Sequence, residues 1–305
     1  MNRVLLTGAS GFIGSHCIDP LLTRGFEVHA QCTGLREGLR RDVTWHAADL
    51  LDTTAGRRLT SEVRPTHLLH LAWHVPPGKF VGAPENFRWV TASLDLLEAF
   101  SEHGRRFVGA GSGYEYDWRF GYCTEGITPT VPDTVYGRCK NALRELAEGF
   151  ATSRELSFAW GRIFFLYGPR EHPQRLVSSV VRSLLRGEEA KSSHGLQIRD
   201  YMYVQDVADG IVALLDNPAD GVYNICSGAA VTLRQILAEI ARQIGRADLL
   251  RVGALPARAN DAPLVVGSNQ AMLSRVGWKP AFDLEKGLAH TIAWWRDSME
   301  REGRD

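Results

Sequence analysis

The chain has 305 residues, of which 44% are hydrophobic, enough to bury a sizeable core as one large domain plus a smaller one. Its 35 basic and 35 acidic side chains cancel, which excludes a global field for nucleic acid or an anionic membrane, so a phosphate-bearing ligand must be gripped locally. Cys17, Cys32, Cys123, Cys139 and Cys226 are odd in number and lack any Cys-x-x-Cys spacing, which argues against a disulfide scaffold and a zinc site. No apolar run reaches the roughly 18 to 20 residues of a membrane span, and the chain enters a strand without a cleavable leader pattern, so a soluble cytoplasmic protein is expected.

Val4 to Gly14, VLLTGASGFIG, opens the chain with a strand, a tight turn and a helix start. Such a junction aims free backbone N–H groups and the positive end of a helix dipole at one point, which suits a pyrophosphate. A dinucleotide is therefore expected on Gly8, Gly11, Phe12, Ile13 and Gly14, although Gly-x-x-Gly-x-x-Gly differs from the commonest fingerprint. A second short strand is predicted over Gly25 to Ala30. Just past it, where NAD-binding folds usually carry an acid for the adenosine ribose, stands Cys32, followed by Thr33, Arg36, Arg40 and Arg41. A missing carboxylate with arginines beyond it favours the 2′-phosphate of NADP(H), with NAD(H) left open.

Val43 to His46 is a third predicted strand, and Asp49-Leu50 follows it where an acid accepts from an adenine amino group. His67 to Ala72 is a near-continuous apolar run of the kind that buried parallel strands show. A Pro/Gly-rich loop, a helix from about Glu85 to His103, and a fifth strand over Phe107 to Ser112 complete the series. The alternation predicts a doubly wound parallel α/β sheet of Rossmann type, with ligands at the strands' carboxyl ends near Gly8, Asp49, Leu71, Ala72 and Ser112.

Tyr136 begins a strong helical pattern and Lys140 lies four residues on, so the two share one helix face. An ammonium so placed is expected to favour the phenolate and depress the tyrosine pKa.

With TGASGFIG at 7 to 14, Asp49-Leu50, HLAW at 70 to 73, Ser112, Tyr136 and Lys140, the chain resembles the extended short-chain dehydrogenase/reductase family, in its nucleotide-sugar epimerase, dehydratase and reductase branch. Arg162-x-Phe164 with Tyr167-Gly168-Pro169, Arg199 to Ala208, Gly221 to Ile225 and Val276 to Pro280 extend the resemblance over nearly the whole chain. It implies that Tyr136 is the general acid or base, that Lys140 holds the nicotinamide ribose, and that Ser112 hydrogen-bonds the reacting oxygen of a nucleotide-diphosphate sugar. It also implies a smaller C-terminal α/β substrate domain, with 1–169 plus about 198–225 binding the dinucleotide and 170–197 plus 226–305 binding the substrate. The resemblance further implies that Arg199 and Arg258 contact the diphosphate, and that a homodimer forms through helices near 86–103 and 136–152.

Departures from the family narrow the reaction. Sugar 4,6-dehydratases carry Asp-Glu after the catalytic hydroxyl residue, where Gly113-Tyr114 stands here, so elimination of water lacks its proton donors. Tyr114 also replaces the active cysteine of the bifunctional GDP-fucose synthases, and His172 stands two residues away from their second acid/base position, leaving both as substrate-side candidates. Trp89 and Phe165 replace frequent asparagines, and the segment 115–120 is dense in aromatic and charged groups that serve either as a sugar-pocket lining or as a packed surface loop. The leading expectation is an NADPH-dependent reductase of a nucleotide-linked 4-keto-(6-deoxy) sugar. A redox-neutral nucleotide-sugar 4-epimerase with tightly held NAD is the nearest rival. A non-catalytic NAD(P)-sensing protein is a third reading, against which the intact Ser112, Tyr136 and Lys140 argue.

Overall fold

The computed structural model describes residues 2–35, 40–257, 259 and 261–302. Arg36 and Arg258, expected at the cofactor and the diphosphate, lie outside the described residues. In chain order the first half runs β1 (Arg3–Thr7), α1 (Phe12–Thr23), β2 (Glu27–Cys32), β3 (Thr44–Ala47), α2 (Thr53–Val63), β4 (His67–His70), α3 (Glu85–Ser101), β5 (Arg106–Ser112), β6 (Tyr122–Cys123) and α4 (Val135–Ser153). The second half runs β7 (Ser157–Ile163), β8 (Phe165–Tyr167), α5 (Leu176–Leu185), β9 (Ala190–Ser192), β10 (Ile198–Arg199), β11 (Tyr201–Tyr203), α6 (Val204–Asp216), β12 (Gly221–Ile225), β13 (Val231–Thr232), α7 (Leu233–Ile244), β14 (Leu250–Val252), β15 (Leu264–Gly267) and α8 (Leu284–Glu302).

Seven strands form one parallel sheet in the order β12-β7-β5-β4-β1-β2-β3. The winding reverses between β1 and β4, and the crevice at such a reversal is where open α/β sheets bind ligands. Thr7 ties this point together: its Oγ1 is 2.8 Å from His70 Nδ1 and accepts from the N–H groups of Leu71 and Ala72 at 3.1 and 3.2 Å. The central strands are buried on both faces, so Leu5, Leu6, Leu68, Leu69 and Val108 read as unbroken apolar runs rather than alternating ones.

The second strand runs two residues later than the sequence pattern suggests. Gly25, at φ +76°, donates to Leu22 O and ends α1 in a left-handed turn, so extension begins only at Glu27. The strand also runs on past Ala30, so that Cys32 is the last residue of β2. Beyond the main sheet, β13-β10-β15-β6 form a four-stranded sheet, and β8/β11 and β9/β14 form pairs. Helices α5, α7 and α8 bury Val177, Val181, Ile236, Ile240, Leu288 and Trp295 in one cluster. Among the described residues no helix is long and apolar enough to cross a membrane.

Candidate active site

The turn after β1 is built for close approach. Gly8 sits at φ +67°, and a Cβ on it would lie 2.9 Å from the Ala72 backbone, while a Cβ on Gly14 would lie 2.2 Å from Gly8 O. Helix α1 can seat its first turn against the strand end only because both side chains are missing. Its N-cap Gly11 makes no side-chain cap bond, and no acidic residue occupies its first turn, so N–H groups and the positive dipole end at Phe12, Ile13 and Gly14 stay available to an anion. These features fit a dinucleotide pyrophosphate.

At the end of β2, Cys32 is buried and its thiol donates to Gly34 O at 3.3 Å. Its neighbour Gln31 is equally buried; Oε1 accepts from Gly8 N at 2.9 Å and Nε2 donates to Ala48 O at 2.7 Å, stapling the glycine turn to the chain before Asp49. Gln31 had no sequence signal beyond its place beside Cys32. Asp49 and Thr33 are exposed on this rim, and Leu50 is buried under it.

At the reacting end, β5 delivers Ser112 and the first turn of α4 delivers Tyr136. Thr134 caps that helix through Gly137 N, and a Cβ on Gly137 would lie 2.2 Å from Tyr114 O, so the glycine lets α4 press its tyrosine against the serine turn. The Ser112 side chain acts on the Tyr136 phenol and favours its ionised form. Phe80, Tyr114 and Trp73 enclose the Tyr136 ring at centroid distances of 4.9, 5.7 and 6.5 Å. Lys140, one turn along, donates from Nζ to Ala110 O at 2.9 Å and lies 3.6 Å from the Trp73 ring centroid. The sheet end thus gathers Ser112, Tyr114, Tyr136 and Lys140, with the last two one turn apart on α4.

The electrostatics differ from the expectation that Lys140 depresses the tyrosine. Burial pushes the Tyr136 pKa above the ordinary phenol value, against a smaller opposing effect of the Ser112 side chain. Burial also lowers Lys140 from 10.5 to about 7, with Glu115 pulling it back up. The ammonium faces a carbonyl and an indole, so in this state Tyr136 is a protonated phenol. Trp73, held by Asn86 Oδ1 at 2.8 Å, is a site residue whose position in HLAW said nothing of its contact with Lys140.

Beyond Tyr136, Tyr114 packs on Trp118 at 4.3 Å, Trp118 on Phe165 at 6.0 Å, and Phe165 on Tyr201 at 5.5 Å. The segment 115–120 therefore contributes Trp118 to an aromatic wall and turns Glu115 into the interior. Arg199 is buried, pairs with Asp261 at 2.6 Å and lies over Phe165 at 5.5 Å. His172 is exposed, and its Nδ1 accepts from Gln174 N at 3.2 Å within its own loop.

A protein-family model described as the NAD dependent epimerase/dehydratase family matches residues 4–226. The CDP-abequose synthase of Salmonella typhimurium is 25% identical over 303 residues, which cover 95% of this chain and 97% of that one. The UDP-glucose 4-epimerase of Thermotoga maritima, solved with UDP-glucose, superposes with a TM-score of 0.86 at 27% identity, covering 98% of this chain and all of that one. The UDP-glucose 4-epimerase of Thermus thermophilus, solved in complex with NAD, gives a TM-score of 0.85 at 30% identity over 96% of this chain and 99% of that one.

Proposed function

The chain belongs to the NAD-dependent epimerase/dehydratase family, and from that premise we propose that it uses NADPH to reduce a nucleotide-linked 4-keto-(6-deoxy) sugar. The observation that carries this choice within the family is Cys32: the ribose-facing end of β2 offers a buried thiol where a carboxylate would select against a 2′-phosphate. A net reductase exchanges its cofactor at every turnover, and NADPH is the usual donor for such a step. Two further features agree. Gly113-Tyr114 supplies no carboxylate pair for eliminating water, and Tyr136 is held protonated, the state from which a phenol donates to a developing alkoxide.

A dinucleotide held there would supply a hydride to the carbonyl carbon of the substrate. Ser112 donates a hydrogen bond to the carbonyl oxygen and orients it toward the phenol. The Tyr136 Oη proton passes to that oxygen, and the ammonium of Lys140 stabilises the phenolate until solvent reprotonates it. Gly8, Gly11, Phe12, Ile13 and Gly14 hold the pyrophosphate, and Arg199 is assigned to the diphosphate of the substrate.

The second reading, a redox-neutral nucleotide-sugar 4-epimerase, is favoured by the likeness to the two UDP-glucose 4-epimerases, one of them solved with NAD. Mixing the purified protein with NADPH and a nucleotide-linked 4-keto-6-deoxy sugar separates the two. Stoichiometric loss of the reduced-nicotinamide absorbance is expected; constant absorbance, together with NAD extracted from the denatured protein, sinks the reductase in favour of a redox-neutral reaction, and interconversion of 4-epimeric nucleotide sugars then identifies the epimerase.

A further inference from the structure

We propose that Glu115 is a positioning residue for the reaction, fixing the backbone of Ser112 and supplying negative charge to the buried Ser112, Tyr136 and Lys140 cluster. The inference rests on the roles assigned above to those three residues.

Glu115 is fully buried and both oxygens of its carboxylate are hydrogen-bonded. Oε1 accepts from Ser112 N at 2.8 Å and from the Trp160 indole at 2.9 Å, and Oε2 accepts from Arg162 Nε at 2.7 Å. The bond to Ser112 N closes a capping box, in which the Ser112 hydroxyl also accepts from Tyr114 N at 3.3 Å. The serine is thus held by the carboxylate through its own main chain. The strand makes room for this: a Cβ on Gly111 would lie 2.1 Å from Trp160 Nε1 and 2.5 Å from Glu115 Oε1. Arg162 is fixed in turn by the Tyr116 ring at 4.4 Å, and Tyr116 donates to Asn224 Oδ1 at 2.8 Å.

A scaffold pair would satisfy those hydrogen bonds and do nothing more. Glu115, however, also faces α4: its Oε1 lies against Gly111, the neighbour of Ala110 whose carbonyl takes the Lys140 ammonium, and its charge there favours the protonated forms of both Tyr136 and Lys140. Those are the forms that proton donation and phenolate stabilisation require. The other charged or titratable groups around this cluster are Arg162 on β7, Tyr116 beside Glu115, Glu125 beyond β6, which interacts with Arg162, Tyr114 and Arg175, which act on Tyr136, and His70 on β4, which feels Lys140. Among these, Glu115 is the carboxylate that acts on Lys140.

The test uses the full chain and the variants Glu115→Gln and Glu115→Gln/Arg162→Gln; the double variant removes both charges and spares the fold an unpaired buried guanidinium. Ser112→Ala and Tyr136→Phe run alongside. The expected result is unchanged dinucleotide affinity and substrate KM, a fall in kcat of about 10- to 100-fold, and an alkaline limit of activity moved to lower pH. The ¹³Cε signal of Lys140, one of five lysines and assigned by its loss in Lys140→Met, should titrate at lower pH in the double variant than in the wild type. A double variant that keeps the wild-type kcat and Lys140 titration overturns the proposal and leaves Glu115 and Arg162 as scaffold only. If Ser112→Ala and Tyr136→Phe themselves keep full turnover, the reading of the site falls instead, while the Lys140 titration still reports on Glu115.

Discussion

Lys140 is the most constrained side chain of the site: it is buried, its ammonium reaches a carbonyl and an indole face, and its pKa falls from 10.5 to about 7. Below about pH 7 the native protein bears the full cost of the buried charge. Between pH 7 and 10.5 the native state has released a proton that the unfolded chain still holds, so stability gains as pH rises through that window. The wild type should therefore gain stability relative to Lys140→Met between pH 7 and 10, by at most about 1.4 kcal/mol per pH unit, in urea melts. A flat difference would show Lys140 titrating as an exposed lysine does. Tyr136→Phe keeps the ring among Phe80, Tyr114 and Trp73 while removing the proton, so turnover should drop by about 10²- to 10⁴-fold with dinucleotide affinity intact. Cys32→Asp places a carboxylate at the ribose end of β2. NADPH affinity should fall by about tenfold or more and NADH affinity should hold, as read by fluorescence titration.

The glycine turn joining β1 to α1 sets how close a helix N-terminus comes to a strand end. A Cβ at position 14 meets Gly8 O at 2.2 Å, a main-chain atom that cannot rotate away, so Gly14→Ala must push α1 outward. The expected cost is about 1 to 3 kcal/mol of stability with a clear loss of dinucleotide affinity, measured by denaturant melts and cofactor titration. A variant that binds normally would mean that the pyrophosphate is held elsewhere. The turn after β5 works differently. It needs a polar interior partner, and Glu115 supplies it by reaching Arg162 across 47 residues of chain.

Across the whole molecule, α3 and α4 lie side by side on the outer face of the sheet and leave Phe87 at 64% and Leu146 at 54% exposure. We propose that these residues take part in the two-fold contact of a homodimer through helices near residues 86–103 and 136–152. Light scattering should give twice the chain mass, and Phe87→Glu with Leu146→Glu should give the monomer; a wild-type monomer removes the claim.

The amino-acid sequence by itself determined the parallel sheet, because buried parallel strands are continuous apolar runs and helices repeat every three to four residues, both local patterns. It likewise determined the glycine turn and the Tyr136/Lys140 face, since each depends on spacing within one turn. Only the tertiary structure decided that Lys140 lies under Trp73, that Gln31 staples the glycine turn, that Arg199 pairs with Asp261, and that Glu115 faces the core. These contacts join segments far apart in the chain, as with the 62 residues between Arg199 and Asp261, and no spacing rule encodes them. The state of Tyr136 belongs to the same class: offset from a lysine is a property of the helix, but desolvation is set by everything packed around it.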